Sequence, residues 1–208
     1  SYWKDAKTEL TWVNSKAYEA DPKKVSELKK YDGIIVPGGF GESGIEGVIM
    51  AVKFARENKI PYFGLCYGMQ LAVIEYARNV VGWKDAHTAE INPNSKHVVI
   101  DIMESQKKHL ESGNYGASMR LGAYPAVLKE GTIAFEAYLS AEALAKEDGK
   151  SVISERHRHR YEVDPAYIAE IEEAGLVFSG TSPDGKLMEI AELPKSAHPF
   201  FLGTQFHP

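Results

Sequence analysis

A lone cysteine between two glycines, where an apolar run changes into a helical pattern, constrains this chain more than any other feature. The run at residues 60–65 predicts a short buried strand, and residues 71–78 predict the helix after it. Gly64 and Gly68 stand two positions to either side of Cys66, so the backbone can turn tightly and present the thiol beyond the strand end. The turn predicts an α/β fold, and the helix N-terminus is expected to favour thiolate over thiol. The alternative is a buried structural cysteine.

The last residues of the chain supply a candidate base for this thiol. His207 follows the apolar run at residues 199–202. A nucleophilic thiol needs a base that takes its proton and returns it to a leaving amine, and that base is commonly distant in sequence but close in the fold. An ordinary surface histidine near a terminus is the alternative interpretation.

Alternating strand and helix patterns predict a doubly wound first half. Strands are expected at residues 8–14, 34–37 and 60–65, and helices after Asp21-Pro22, at 45–58 and at 71–78. This order predicts a parallel sheet covered on both faces. Ligands of such folds bind beyond the carboxyl ends of the strands, where Cys66 and the segment Pro37-Gly38-Gly39 are placed.

The second half is predicted to be less regular. Strands are expected at residues 97–103 and 124–128, with a polar stretch at 104–116 between them. Asp164-Pro165 opens a helix that Gly175 closes. The turn Ser182-Pro183-Asp184-Gly185, between apolar segments 176–180 and 188–193, is typical of a hairpin. No repeat or linker divides the chain, which indicates one domain.

Composition narrows the class of protein. The 208 residues contain 44% hydrophobic and 25% charged residues, as an ordinary globular domain does. The formal net charge of −5 argues against a nucleic-acid-binding surface. No run is long enough to span a membrane and no signal peptide is visible. The single cysteine permits no internal disulfide, which suits a cytoplasmic location.

Five motifs carry a family resemblance. They are Pro37-Gly38-Gly39-Phe40-Gly41, Gly64-Leu65-Cys66-Tyr67-Gly68-Met69-Gln70, Ser118-Met119-Arg120-Leu121-Gly122, residues 155–163 and Gln205-Phe206-His207-Pro208. The first, second and fifth, in this order, resemble the class I glutamine amidotransferases, and the third and fourth resemble the glutaminase half of the CTP synthases. The resemblance implies a flavodoxin-like α/β domain, with a mostly parallel sheet and helices on both faces. It also implies hydrolysis of L-glutamine to glutamate and ammonia through a cysteinyl thioester.

The resemblance also implies roles for individual residues. Cys66 and His207 are the catalytic pair, and the backbone amides of Gly39 and Tyr67 form the oxyanion hole. Glu90 and Arg160 are expected to bind the ammonium and carboxylate of glutamine, as charge complementarity requires. The expected pocket is completed by Phe40, Gly68, Met69 and Gln70, together with Gly39 and Tyr67.

The family pattern extends beyond this sequence. Both ends look cut, and an N-terminal synthetase domain that aminates UTP to CTP with ATP and Mg²⁺ is expected to be linked to it. The whole enzyme is expected to be a homo-oligomer, a tetramer, without nucleic-acid or membrane partners. No cofactor is expected in this domain itself, whereas GTP is implied as an allosteric activator. A glutamate that orients His207 is expected after Pro208.

Two positions depart from the family pattern. Tyr67 stands where the family usually has leucine. Ser43 stands where it usually has arginine, in a mobile lid, residues 41–47, linked to activation by GTP. Because serine has no charge, the departure at Ser43 puts the GTP response in question.

The run Arg156-His157-Arg158-His159-Arg160 permits other interpretations. Its alternating histidines suggest metal ligands, but the cationic neighbours and the lack of a well-placed carboxylate or cysteine argue against a metal. A strand that presents one or two arginines to an anionic ligand fits the pattern better.

Two other functions compete with a glutaminase linked to a synthetase. One is a stand-alone hydrolase of another γ-glutamyl amide. The other is a non-catalytic regulatory domain that binds glutamine or a nucleotide.

Overall fold

The strands of this protein form two sheets in the computed structural model. The structure describes residues 7–102, 119–140, 145–147 and 149–208. Within them lie a sheet of eight strands and one of three. In chain order the strands are β1 Ile34–Val36, β2 Tyr62–Leu65, β3 His87–Thr88, β4 Val98–Ile102, β5 Arg120–Leu128, β6 Ala145–Glu147, β7 Lys150–His159, β8 Tyr161–Val163, β9 Val177–Thr181, β10 Met188–Glu192 and β11 Phe201–Thr204.

Helices connect and cover the strands. The α-helices of the described part are α1 Lys16–Ala20, α2 Ile45–Glu57, α3 Tyr67–Tyr76, α4 Ile133–Ser140 and α5 Ile168–Glu173. Short 3₁₀-helices span Pro22–Lys30 and Pro165–Tyr167, and a π-helical turn, Ala77–Val81, extends α3. The predicted caps are confirmed, since Asp21 accepts a hydrogen bond from the amide of Lys23 and Asp164 from that of Ala166.

The large sheet has the order β1-β2-β11-β10-β9-β5-β7-β6, and the small one β3-β4-β8. The expected α/β fold is confirmed, and β1, β2 and β11 pair in parallel. The expectation of a mostly parallel sheet is corrected, because the other pairs of the large sheet are antiparallel. Antiparallel neighbours can be joined by a short turn instead of a helical crossover, as in the predicted hairpin between β9 and β10.

Helices pack on both faces of the large sheet. Phe201 and Ala191 belong to the apolar core that contains α2 and α3. Their neighbours Leu202 and Ile190 belong to a second core with Ile133 of α4. Successive side chains of a strand point to opposite faces, so these two cores lie on opposite sides of the sheet.

Helix α3 lies at the centre of the first core. All ten of its residues are buried, although it follows the turn at Cys66 directly. A helix that is buried on every side is typical of an interior position, and its polar residues Gln70 and Glu75 have hydrogen-bond partners there. It begins at Tyr67, four residues before the predicted start, because Cys66 is its N-terminal flanking residue. Its N-terminus therefore opens at the carboxyl end of β2.

The strand predicted at residues 8–14 is wrong. These residues form no strand, and Leu10 and Trp12 are exposed. A strand needs a partner for its backbone groups, and none of the described strands pairs with this segment. The predicted polar stretch at 104–116 lies outside the described residues. Among the described residues, no helix combines the length and the apolar composition that crossing a bilayer requires.

Candidate active site

Cys66 lies at a strained turn between β2 and α3. Its backbone adopts φ 51° and ψ −97°, which residues with a side chain rarely do. The turn is tight because α3 packs directly against the strands. A side chain on Gly68 would come within 2.4 Å of the Val36 carbonyl oxygen, and one on Gly64 within 2.6 Å of the Gly68 carbonyl carbon. Both flanking glycines are therefore required for this turn.

His207 and Cys66 meet at Gly38. The paired strands β1, β2 and β11 run parallel, so the loops at their carboxyl ends lie side by side. A side chain on Gly38 would meet Cε1 of His207 at 2.7 Å and Cβ of Cys66 at 3.6 Å. The His207 amide donates to the Arg156 carbonyl oxygen at 2.9 Å, which fixes the backbone that carries the imidazole. The predicted pair is thus brought together.

Burial dominates the electrostatics of the thiol. Burial raises the pKa of Cys66 to about 11, although the Tyr67 amide and the Gln205 side chain donate hydrogen bonds to it. The carboxylates of Glu162 and Glu90 raise it further. The helix N-terminus does favour thiolate, as expected, through the Tyr67 amide, but lost hydration outweighs this effect and the net pKa is raised. The thiol needs a base.

The two predicted oxyanion donors lie on facing segments. A side chain on Gly39 would meet Cδ1 of Tyr67 at 3.3 Å, so the loop after β1 passes over the start of α3. The Tyr67 hydroxyl donates to the Gly41 carbonyl oxygen at 2.7 Å and ties the two segments together. Leucine has no such hydroxyl, so Tyr67 adds a contact that the usual family residue would not make.

The charges of Glu90 and Arg160 both act on Tyr161. Oε1 of Glu90 accepts a hydrogen bond from the Gly41 amide at 3.0 Å, so this carboxylate lies at the glycine loop. Burial raises the pKa of Tyr161, Glu90 and Asp101 raise it further, and Arg160, the preceding residue of the chain, lowers it. A negative and a positive charge therefore both act on this edge of the site.

The other predicted pocket residues lie in different surroundings. Phe40 is 88% exposed and stands at the rim. The Gly68 carbonyl accepts from Tyr62, and the Met69 side chain is fully buried. Gln70 is also buried, and its Nε2 donates to the Tyr161 carbonyl oxygen and to Gln205. Gly68 and Met69 can therefore offer a ligand only their backbone.

The segment predicted as a lid, residues 41–47, borders a separate cleft, and residues 45–47 belong to the first turn of α2 instead of a loop. This cleft of about 670 Å³ is lined by Ser43 and by Glu46 of α2, with Lys16 and His87 among the other residues. Neither Cys66 nor His207 lines it. Gly41 and Gly44 have φ of 79°, so the lid turns at positions that favour glycine.

The alternating run in β7 points its histidines inward. His157 and His159 are buried, whereas Arg156 and Arg158 are exposed. The buried rings bond to each other, since His157 Nδ1 and His159 Nε2 are 2.8 Å apart. Burial, the first cause in both cases, lowers each pKa to about 3, and the positive charge of Arg120 lowers both further.

Carboxylates do lie beside these histidines, contrary to the interpretation of the sequence. His157, His159 and Glu189 hold potential ligand atoms within 4.8 Å of one another. However, Arg120 donates to Glu189 at 2.8 Å and to Glu162 at 3.2 Å. Its positive charge disfavours a divalent cation at this position. The absence of a metal stays a prediction.

Sequence reasoning missed Gln205 as a site residue. Its Nε2 lies 3.6 Å from Sγ of Cys66, and the Cys66 amide donates to the neighbouring Thr204 carbonyl oxygen at 2.6 Å. Alternate residues of an extended segment share a face, so its spacing of two from His207 was an available signal.

Comparison with known proteins agrees with this geometry. The family model for the class-I glutamine amidotransferases matches residues 3–208. The chain belongs to this family. The glutaminase domain of the Trypanosoma brucei CTPS with bound acivicin is 38% identical, with a TM-score of 0.84, and the match covers 98% of this chain and 74% of that one.

Curated relatives of this amidotransferase are longer. The CTP synthase of Methanopyrus kandleri is 49% identical over 201 residues, which cover 96% of this chain and 35% of the relative. The CTP synthase of Listeria innocua is 48% identical over 208 residues, 100% of this chain and 36% of the relative. The chain therefore spans about a third of the length of these curated relatives.

Proposed function

We propose that this chain hydrolyses L-glutamine to glutamate and ammonia, and that Cys66 carries the glutamyl group as a thioester. The observation that carries the proposal is the meeting of Cys66 and His207 at Gly38, on a strained turn at the carboxyl ends of parallel strands. Burial raises the pKa of the thiol, so its reaction requires a nearby base, and His207 lies beside the same glycine as Cys66.

The reaction follows from this pair. His207 takes the proton of the thiol, and sulfur attacks the side-chain amide carbon to form a tetrahedral oxyanion. The amides of Gly39 and Tyr67 are proposed to hold that oxygen, and loss of one such donor costs roughly 3 kcal/mol. His207 returns the proton to nitrogen, the C–N bond breaks and ammonia leaves. Water then hydrolyses the thioester and restores the thiol.

Glutamine selectivity is assigned to Glu90 and Arg160. Free glutamine carries an ammonium and a carboxylate, and Glu90 and Arg160, whose opposite charges both act on Tyr161, complement them. An arginine binds a carboxylate through two parallel hydrogen bonds, which a lysine cannot form. Phe40, Gly68, Met69 and Gln70 are proposed to complete the pocket, the second and third through their backbone.

The ammonia is proposed to serve CTP synthesis. The relatives named above are CTP synthases about three times as long as this chain, which supports a covalently linked synthetase domain. There ATP, with Mg²⁺, would activate UTP, and ammonia would displace the activated oxygen to give CTP. A cytoplasmic tetramer with GTP as an effector completes the proposal.

A glutaminase assay tests the proposal. We expect ammonia release from glutamine, loss of at least a thousandfold in Cys66→Ala, and labelling of Cys66 by a glutamine-mimicking chloroketone that glutamine suppresses. Because Cys66 is the only cysteine, the label reports one site. A preference for γ-glutamyl amines would favour the stand-alone hydrolase. Glutamine binding without turnover, in the full-length protein, would favour the regulatory domain.

A further inference from the structure

We propose that Gln205 acts directly on the nucleophile, with its side-chain N–H held against Cys66 Sγ, and that Gln70 is a positioning residue that orients this amide. The inference rests on the proposed function, because it assigns a further role within the same thiol chemistry.

Gln205 is fixed beside the sulfur. Its side chain is fully buried and its Nε2 donates to Sγ of Cys66 at 3.6 Å, a longer contact than one to oxygen because sulfur is the larger and weaker acceptor. Its backbone amide donates to the Glu189 carbonyl oxygen at 2.8 Å. The preceding residue, Thr204, accepts from the Cys66 amide at 2.6 Å. Two neighbouring backbone bonds therefore hold Gln205 against the turn.

The hydrogen bonds of Gln70 determine which end of the Gln205 amide faces sulfur. Nε2 of Gln70 lies 3.0 Å from the Tyr161 carbonyl oxygen, and a carbonyl can only accept. The same NH₂ group lies 3.2 Å from Oε1 of Gln205 and donates to it. The oxygen of Gln205 is thus occupied by Gln70, and its NH₂ group must face Cys66. The orientation follows from a backbone carbonyl, whose direction is not ambiguous.

A donor at this position favours the ionised sulfur. Burial raises the pKa of Cys66, and the Gln205 side chain opposes that rise. When His207 removes the proton, the N–H of Gln205 gains a charged acceptor and its hydrogen bond strengthens. As the S–C bond forms, sulfur loses its negative charge and the bond weakens again. Gln205 thus assists the deprotonation that precedes attack.

The chain of contacts also reaches the substrate side. Tyr161 follows Arg160, the residue proposed to bind the carboxylate of glutamine. A shift of the Tyr161 carbonyl on substrate binding would move Gln70 and, through it, Gln205. The structure therefore offers a direct path from the substrate pocket to the sulfur.

The test is the pH dependence of Cys66 alkylation by iodoacetamide in the full-length protein, without glutamine. We expect Gln205→Leu and the near-isosteric Gln205→Glu to raise the pH midpoint by about one unit or more, with about tenfold slower alkylation at neutral pH. Glutamate keeps the contact with Gln70 but replaces the donor with a negative charge, so its shift should be the larger. Gln70→Met should give a smaller shift in the same direction.

Controls separate this inference from the proposed function. Asn58→Leu removes an exposed amide that bonds to the Phe54 carbonyl oxygen at the end of α2, and it should leave the midpoint unchanged. Thermal unfolding of each variant identifies loss of fold. If the midpoint is unchanged in a folded Gln205→Glu protein and glutamine hydrolysis still requires Cys66, the role of Gln205 is overturned and the proposed function is not. Retained hydrolysis in Cys66→Ala would overturn the proposed function, whatever the midpoints.

Discussion

At Cys66, burial and the helix N-terminus have opposite effects, and burial has the larger one. The pKa of the thiol is raised to about 11, so almost no thiolate exists at neutral pH without a base. We expect His207→Gln to lower kcat for glutamine hydrolysis by about 10²–10⁴-fold, since general-base assistance is worth that much. The residual rate should rise with pH up to the thiol pKa. A His207→Gln enzyme with an unchanged pH profile would exclude the histidine as base.

Glu90 allows charge and loop anchoring to be separated. Its Oε1 accepts from the Gly41 amide, a bond that a glutamine side chain can also accept. Glu90→Gln should therefore raise KM for glutamine about tenfold or more while keeping the loop in place, whereas Glu90→Ala should also lower kcat. Steady-state kinetics of both variants measure this difference. An unchanged KM in Glu90→Gln, beside a raised KM in Glu90→Ala, would show that Glu90 serves only the loop.

Arg160→Lys tests the opposite end of the substrate. Loss of the planar, two-pronged donor should raise KM for glutamine by about tenfold, since a lysine binds carboxylate only as a point charge. Reaction of hydroxylamine with a preformed thioester should change little, because that step no longer needs the free glutamine. An unchanged KM would assign Arg160 to the fold or to another ligand.

Among the elements, those read from local pattern were predicted well. Strand β2, the turn at Cys66, the caps at Asp21 and Asp164 and the β9–β10 hairpin are all present. The predictions that failed concern segments whose structure depends on partners distant in sequence. The segment at residues 8–14 alternates like a strand but pairs with none of the described strands, and the long antiparallel pair β5–β7 is not visible in either sequence segment alone.

The site likewise has features that the sequence predicts and features that it does not. Cys66, Gly38 and His207 could be placed together because parallel strands end at one edge. The pKa of Cys66 could not be predicted, since burial arises from the packing of the whole chain around α3. The donor Gln205 was missed because its orientation depends on Gln70 and on a carbonyl of β8.

The lid element carries a prediction about regulation. Ser43, in the segment of residues 41–47, borders the cleft described above. An arginine at this position would supply a positive charge, whereas serine supplies one short hydroxyl. We expect GTP to activate glutamine hydrolysis of the full-length protein only weakly, and Ser43→Arg to increase that activation. A GTP titration of both proteins is the measurement. Strong and equal activation would show that the arginine is dispensable.

At the scale of the whole molecule, a buried polar network joins β5, β7, β8 and β10. Arg120 joins Glu162 and Glu189, and the two carboxylates face His157 and His159. His157 Nε2 and one oxygen of each glutamate have no hydrogen-bond partner among the described residues. Two carboxylates compete for one guanidinium, so burial and Glu189 raise the pKa of Glu162 to about 8. The fold therefore favours a protonated Glu162 and neutral histidines.

Opposite pKa shifts in this network predict a stability maximum near pH 6.5. The folded pKa values of His157 and His159 are lowered to about 3, so the unfolded chain takes up protons first and stability falls as pH drops from about 6.5 towards 3. His87 and His198, whose pKa values are also lowered, add to this loss of stability at low pH.

Glu162 acts on the alkaline side. Its folded pKa of about 8 lies above the ordinary value, so the folded state holds a proton that the unfolded chain has released, and stability falls as pH rises towards 8. Glu162→Gln mimics the protonated form, and we expect it to reduce the fall in stability between pH 6.5 and 8 and to steepen the fall from pH 6.5 to about 4.5, where Glu162 opposes the histidines. Urea unfolding between pH 4 and 9, with wild type and variant side by side, measures both slopes. An equally steep decline between pH 6.5 and 8 in Glu162→Gln would show that another group releases this proton, because a glutamine side chain has none to lose.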